Sequence, residues 1–355
     1  MTQAPDPVSK SLTGKYLSKP LKKQLSPLKT DSGFTLAKAI ASGLKNPDSA
    51  IGLYAGDAQS YDLFAPLFDP IIDEYHQFSP DRIHLSDFTP VALPCPDPDN
   101  QYILSTRIRV ARNLQGFNFP CHMSLSQRRK VESTIISALS KLTGNLKGTY
   151  VSLERDSQQL ISKLDQQGLV FKKGDRFQDA AGINTDFPKS RGVFYSHDCC
   201  FRVWVNEEDH LRIMSMEKSS DIAGVFNRLS QGLAVLQQTL EYAWNPHLGY
   251  LNSCPTNIGT AMRASVHIRL KNLEKEPDRL EQIARQYHLQ IRGTSGEKTK
   301  VEGAVFDISN CQRLGVTESM IANTLYSGVL AIIAAEEKSG QNFIKNTGTH
   351  EHQHG

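Results

Sequence analysis

The chain has 355 residues, 39% of them hydrophobic and 22% charged, enough for two domains and a large core. Forty Lys and Arg against 37 Asp and Glu leave a net charge of +3, which excludes a nucleic-acid or anionic-membrane binder held by bulk charge and leaves only local arginine clusters as anion sites. Six cysteines without a CxxC pair or zinc spacing, no secretory h-region, and a longest apolar run (328–335) too short to span a bilayer predict a cytoplasmic chain without a membrane partner.

Residues 1–20 carry lysines and prolines and are expected to form a flexible lead-in. Residues 21–94 follow as a small domain, in which SYDLFAPLFDPIIDEYH (60–76) spaces its apolar residues for helix. FTPVALPCPDPDN (88–100) contains four prolines, so neither helix nor ladder runs through it, and the domain boundary is placed there. From 95 to 340 the period changes to two. YILSTRIRV (102–110) sets Leu104, Ile108 and Val110 on one face and Ser105, Arg107 and Arg109 on the other. FRVWV (201–205), MRASVHIRL (262–270) and LQIRG (289–293) alternate similarly and predict a half-buried antiparallel sheet. Helical spacing at 127–142, 221–240, 278–288 and 317–338 supplies the cover. The fold class is therefore α+β: an all-α N-terminal domain and a larger domain with an antiparallel sheet flanked by helices. The polar tail 341–355 is expected to be disordered, and its alternating histidines (350, 352 and 354) are assigned no metal.

Four strand-like segments offer arginines from their polar faces: Arg107 and Arg109, Arg212 in DHLRIM (209–214), Arg263, and Arg292. Guanidinium groups brought together repel unless a polyanion sits among them, and their forked donors suit phosphate oxygens. The chain has neither GxxxxGK[ST] nor GxGxxG, so a triphosphate would be held by these arginines, with His267 available to stack on a base. A noncatalytic anion- or RNA-binding module is the competing class. It leaves Cys254 of CPTNIGT (254–260) and the acids Glu207, Glu208 and Asp209 without a task, and interleaved aromatic platforms are missing.

Those segments, in order, resemble the blocks of a known family. CPTNIGT looks like the signature heptapeptide of the phosphagen (ATP:guanidino) kinases, and STRIRVARNLQGF, FRVWVNEEDHLRIMSM, MRASVHIRL, LQIRGTSGE and VFDISNCQRLG are similar to its other blocks. The resemblance runs from about residue 20 to 338 and implies reversible transfer of the γ-phosphoryl group of MgATP to a guanidino compound. By it, Glu208, Glu297 and Cys254 carry the chemistry, Cys254 as a thiolate. Ser49, Ala50, Ile51, Gly52 and Tyr54 meet the acceptor. Ser105, Arg107, Arg109, Tyr195, Arg212, Arg263, Ser265, His267, Arg292, Gly293, Thr294 and Asp307 bind nucleotide. Mg²⁺ enters with ATP, without a direct protein ligand, and Glu207 stands one shell out.

The acceptor implied is L-arginine. The loop DSAIGLYAGD (48–57) is short, and Tyr54, Tyr75 and Glu297 match the arginine-using members. Two departures point elsewhere: Tyr195 stands where the family has histidine, and Ala50 where many arginine kinases have glycine. Taurocyamine or another guanidino acid, and protein-bound arginine, are the alternatives. The family includes monomers and homodimers.

Overall fold

The computed structural model describes residues 10–79, 81–293 and 301–348. The N-terminal part is helical: α1 (Leu12–Tyr16), α2 (Lys19–Leu25), α3 (Leu36–Ala39), α4 (Ala41–Lys45), α5 (Gln59–Leu63) and α6 (Ala65–His76). In α6 the buried residues Leu67, Phe68, Ile71 and Ile72 form one stripe at helical spacing. That stripe joins Phe34, Leu36, Leu53 and Phe64 in a core shared with Phe119, Ala243, Leu248, Ile258 and Leu314 of the larger part. The helical unit is thus packed directly on the loops of its neighbour.

Flexibility was expected for residues 1–20, and the described part, from residue 10, corrects it. Ser11 caps α1 by accepting from Gly14 N, Thr13 is buried, and its Oγ1 donates to Ile51 O at 2.6 Å. Local caps and a long-range hydrogen bond outweigh the polar composition that suggested disorder.

The larger part is built on strands β1 (Ile103–Arg112), β2 (Gly148–Ser152), β3 (Gly192–Ser196), β4 (Phe201–Val205) and β5 (Leu211–Glu217), the short pair β6 (Trp244–Asn245) and β7 (Gly249–Tyr250), then β8 (Met262–Arg269), β9 (Leu289–Arg292) and β10 (Val305–Asn310). The helices are α7 (Leu125–Leu139), α8 (Gln158–Gln166), α9 (Arg176–Ala181), α10 (Ile222–Leu236), α11 (Pro277–Gln286) and α12 (Glu318–Gly348). Eight strands form one sheet in the order β2-β3-β4-β5-β1-β8-β10-β9, antiparallel throughout.

One sheet face carries Ile108, Val110, Val203, Ile213, Ala264, Val266 and Ile308 into a core completed by Val225, Phe226 and Leu229 of α10 and Ile321, Leu325, Val329 and Ile332 of α12. Helix α12 is long and apolar enough over Glu318–Gln341 to cross a membrane by length and composition, yet half of that stretch is buried inside this fold. It also continues to Gly348, where disorder was expected from residue 341. No proline interrupts residues 339–348, and extending a formed helix costs far less than starting one.

Candidate functional site

Register brings the arginines together. On β1, Arg109 lies opposite Arg263 of β8 on one side and Met214 of β5 on the other, while Arg107 lies opposite Ser265 and Met216. Ala111 pairs with Arg212, which itself pairs with Trp204. Ser105 pairs with His267, His267 with Asp307, and Asp307 with Arg292. Directly opposed residues point to the same face, so Ser105, Arg107, Arg109, Arg212, Arg263, Ser265, His267, Arg292 and Asp307 all occupy the side away from α10 and α12. A cleft of about 220 Å³ opens there, lined by Arg109, Arg212, Arg263, Arg292 and Arg313 with Glu208, Tyr75, Thr256 and Asn257.

The charges are only partly balanced. Arg212 Nη2 reaches Glu207 Oε2 at 2.8 Å and Glu208 Oε2 at 3.0 Å; burial opposes its charge, but the two carboxylates carry its pKa above the usual arginine value. Arg263 Nη2 pairs with Asp307 Oδ2 at 2.5 Å. Arg107 and Arg109 form no ion pair among the described residues. Burial first, and then Arg212 and Arg263 among others, hold Arg109 well below its ordinary value and Arg107 down to about 10. After burial, the neighbouring arginines are the next causes for both groups, which places Arg107 and Arg109 in the field of Arg212 and Arg263. Such a cluster calls for an anion.

The acids sit on the β4–β5 connection. Asn206 adopts φ 57° at the start of this turn; beyond it Glu207 reaches Arg212, Glu208 lines the cleft and Asp209 is buried. Asp209 Oδ1 accepts from Ser253 N at 2.7 Å and Asn113 Nδ2 at 2.8 Å, and Ser253 Oγ donates to Glu208 O at 3.1 Å. The acidic turn is thereby fastened to the residue preceding Cys254. Burial, with Glu207 and Asp209 adding to it against the pull of Arg212, raises the Glu208 carboxyl to about 7.

Cys254 Sγ lies 3.1 Å from Thr256 Oγ1. Burial and the Glu208 carboxylate push its thiol up to about 12, despite the Thr256 hydrogen bonds. In the protein by itself desolvation and a like charge dominate the turn's donors, so the expected thiolate depends on the positive charge of a bound guanidinium.

The loop expected to meet the acceptor is tied to the first helix. Gly52 N donates to Ser49 Oγ at 2.9 Å, Leu12 N to Ala50 O at 2.9 Å, and Thr13 N to Ile51 O at 3.0 Å. Gly52 has φ +73° and its Cα lies so close to Gly43 that a Cβ would meet Gly43 Cα at 3.0 Å. Ala55 N donates to Ser253 O, so the loop ends beside the acidic turn. The Tyr54 hydroxyl is buried, its pKa raised by burial first and then by Cys254 and Glu208.

Two of the expected residues, Glu297 and Thr294, lie outside the described residues. Gly293 directly follows β9, at the boundary with them. Tyr195 shares the sheet face but stands on β3, three strands from β1, about 14 Å at the usual spacing. There it packs with Val151, Phe171 and Trp204, outside the arginine cleft. Sequence reasoning missed Arg313. It donates to Thr256 O and Asn257 Oδ1, both at 3.1 Å, and burial together with Arg263 and Arg292 depresses its pKa. Arg313 follows β10 in a loop, where no alternation exists to mark it.

Residues 130–339 match the ATP:guanido phosphotransferase C-terminal catalytic domain, and residues 7–73 its N-terminal domain. The chain belongs to the ATP:guanido phosphotransferases. It is 44% identical to an arginine kinase of Artemia franciscana over 93% of this chain and 94% of that one. An arginine kinase of Penaeus japonicus is 43% identical over 93% and 94%. Among solved structures, a lombricine kinase superposes with a TM-score of 0.89 at 35% identity, covering 94% of this chain and 93% of that one. The duplicated taurocyamine kinase from Schistosoma mansoni gives 0.87 at 34% identity, covering 93% of this chain and 47% of that one. The phosphotransferase activity of the family accounts for a cleft that sets a carboxylate, Glu208, among arginines.

Proposed function

We propose that this ATP:guanido phosphotransferase moves the γ-phosphoryl group of MgATP to the guanidino group of L-arginine, and back from phosphoarginine to ADP. The observation that carries this reading is the register of β5, β1 and β8, which supports Arg109, Arg212 and Arg263 gathering beside Glu208 in one cleft. Arg107, Arg109, Arg212, Arg263 and Arg292 hold the phosphates and take up charge on the transferring group, while Ser105, Ser265, His267, Gly293, Thr294 and Asp307 hold the rest of the nucleotide. Tyr195, three strands from β1, leaves its expected adenine contact to His267.

Glu208 faces the acceptor guanidinium from the opposite side. Positioned there it aims one nitrogen at the γ-phosphorus, and with a pKa near 7 its carboxylate accepts the proton that nitrogen sheds as the P–N bond forms and the bond to the ADP oxygen breaks. Glu297 is the second carboxylate of this grip. Alignment is the main contribution, since orientation of bound reactants supplies roughly 7–11 kcal/mol in well-ordered reactions. Cys254 orients the guanidinium, and the positive charge of the acceptor opposes the burial and Glu208 repulsion that hold the thiol protonated. Mg²⁺ would be held by the phosphates of the nucleotide, where it would neutralise their charge, and Glu207 would suit an acceptor for metal-bound water.

L-Arginine is favoured over other guanidines by the 43–44% identity to arginine kinases against 34–35% to the lombricine and taurocyamine enzymes. The N-terminal domain match, which covers the acceptor loop, favours a free guanidino compound over protein-bound arginine. ADP release measured with MgATP against arginine, taurocyamine, lombricine, glycocyamine and creatine tests the assignment. Arginine is expected to give the highest kcat/KM, and a clear win for another guanidine overturns the substrate.

A further inference from the structure

The phosphoryl-transfer reading gives no task to two arginines buried behind the acidic turn. Arg128 is 0% exposed and Arg191 1%. Arg191 is satisfied by backbone oxygens, donating to Ile183 O at 2.7 Å, Thr185 O at 3.1 Å and Lys189 O at 3.2 Å. Arg128 makes one hydrogen bond, Nη2 to Pro120 O at 3.3 Å, and its Nε and Nη1 are buried without a partner. Neither guanidinium forms an ion pair among the described residues; the carboxylate whose field reaches both, Asp186, is solvent-exposed.

Two further unpartnered atoms belong to the same neighbourhood. Asn206 Nδ2 bridges Arg128 O at 3.1 Å and Ser190 O at 2.8 Å. Ser190 Oγ and Asn206 Oδ1, both in residues 0% exposed, have no partner. The balance is of donors: the Nε and Nη1 hydrogens of Arg128 and the Ser190 hydroxyl stand against one acceptor, Asn206 Oδ1. Two like charges sealed from water without a buried counterion are strongly unfavourable, and burial, followed by repulsion from Arg128, lowers Arg191 to about 9.

We propose that the Arg128 guanidinium and the Ser190 hydroxyl, beside the turn that Asn206 opens, form a buried site for one small monovalent anion of halide size, which serves as the counterion of the Arg128–Arg191 pair. Because Asn206 opens the turn that carries Glu207 and Glu208, the ion stiffens the active-site turn from behind. The site is separate from the nucleotide cleft, and it stands whether or not arginine is the acceptor.

Bromide-soaked crystals of the full chain, measured at the bromine absorption edge, test this directly. The expected result is an anomalous peak within hydrogen-bonding distance of Arg128 Nε or Nη1 and Ser190 Oγ, absent from crystals of Arg128→Met. In parallel, melting temperature is followed against chloride, with gluconate holding ionic strength constant and MgATP filling the arginine cleft. The wild type is expected to gain stability saturably, Arg128→Met to lose that dependence, and Ser190→Ala to need several-fold more chloride for half the gain. A water molecule in place of the bromide peak, or identical chloride curves for wild type and both variants, overturns the proposal.

Discussion

Replacing Glu208 by glutamine keeps the shape of the side chain and removes its charge. The fold should survive, because Arg212 keeps Glu207 at 2.8 Å and the turn keeps its Asp209–Ser253 and Asp209–Asn113 hydrogen bonds. The reaction should not. A carboxylate facing a guanidinium offers two charge-assisted hydrogen bonds of about 1.5–3 kcal/mol each, so the loss is roughly 3–6 kcal/mol, or about 10²–10⁴ in kcat/KM for the acceptor. The affinity for MgADP, set by the arginines across the cleft, should change little. The pH profile adds a second reading. With the Glu208 carboxyl raised to about 7 by burial, the fraction able to take a proton falls as pH drops through neutrality, so wild-type kcat/KM should decline on the acid side with an apparent pKa near 7. Steady-state kinetics from pH 6 to 9, with calorimetric MgADP binding, measure both. A variant within about threefold of wild-type kcat/KM, with an unchanged acid limb, would refute the assignment of Glu208.

Arg109→Met removes a half-buried cation that has no ion pair among the described residues, so it should raise the melting temperature while weakening MgADP binding tenfold or more; lower stability with unchanged nucleotide affinity contradicts the cluster argument. Cys254, its thiol pushed up to about 12, should be alkylated by iodoacetamide at a rate that keeps climbing through pH 9, whereas a plateau near neutrality would reveal a thiolate. Cys254→Ser should keep partial activity, since the residue orients the guanidinium and forms no bond to phosphorus; complete loss in a folded variant argues for more. His210 is buried and held down to about 3, with its ring bridging Leu114 N and Asn118 O. Its folded pKa lies below the unfolded value, so its stabilising effect is complete above about pH 6.5 and is lost as pH falls toward 3. The acid limb of the stability curve should flatten in His210→Gln, and an unaltered slope removes His210 from that transition.

The strands legible in the sequence were those whose polar and apolar residues alternate: β1 and β4 because one face is drier than the other, and β8, buried at six of its eight positions, because its cleft face is polar. Arg107, Arg109 and Arg263 alternate with apolar residues because one sheet face meets α10 and α12 while the other faces the cleft. Strand β10 is buried at every position and β3 at four of five, so neither shows a period of two. VFDISN is marked only by its resemblance to a family block, and Gly148–Ser152 and the helices α8 and α9 are not among the elements the sequence predicts. At the site, the parity of Arg109 and Arg263 was visible, but their opposition was not. Register depends on tertiary pairing, and a slip of one residue would have turned every guanidinium into the core. Arg128 and Arg313 escaped for a related reason, being defined by what surrounds them after folding. The thiol of Cys254 shows the limit from the electrostatic side: its neighbours in sequence lower its pKa, while its burial and Glu208, supplied by the fold, raise it further.

The central claim is that guanidinium groups from separate strands gather on the phosphates while Glu208 holds the acceptor beside them. A crystal structure with MgADP, L-arginine and a planar anion in place of the transferring phosphoryl group tests it most directly. The account predicts Arg107, Arg109, Arg212, Arg263 and Arg292 within hydrogen-bonding distance of the phosphate and anion oxygens, and the Glu208 carboxylate on the guanidinium of arginine. Nucleotide bound away from that sheet face, or arginine out of reach of Glu208, would contradict it.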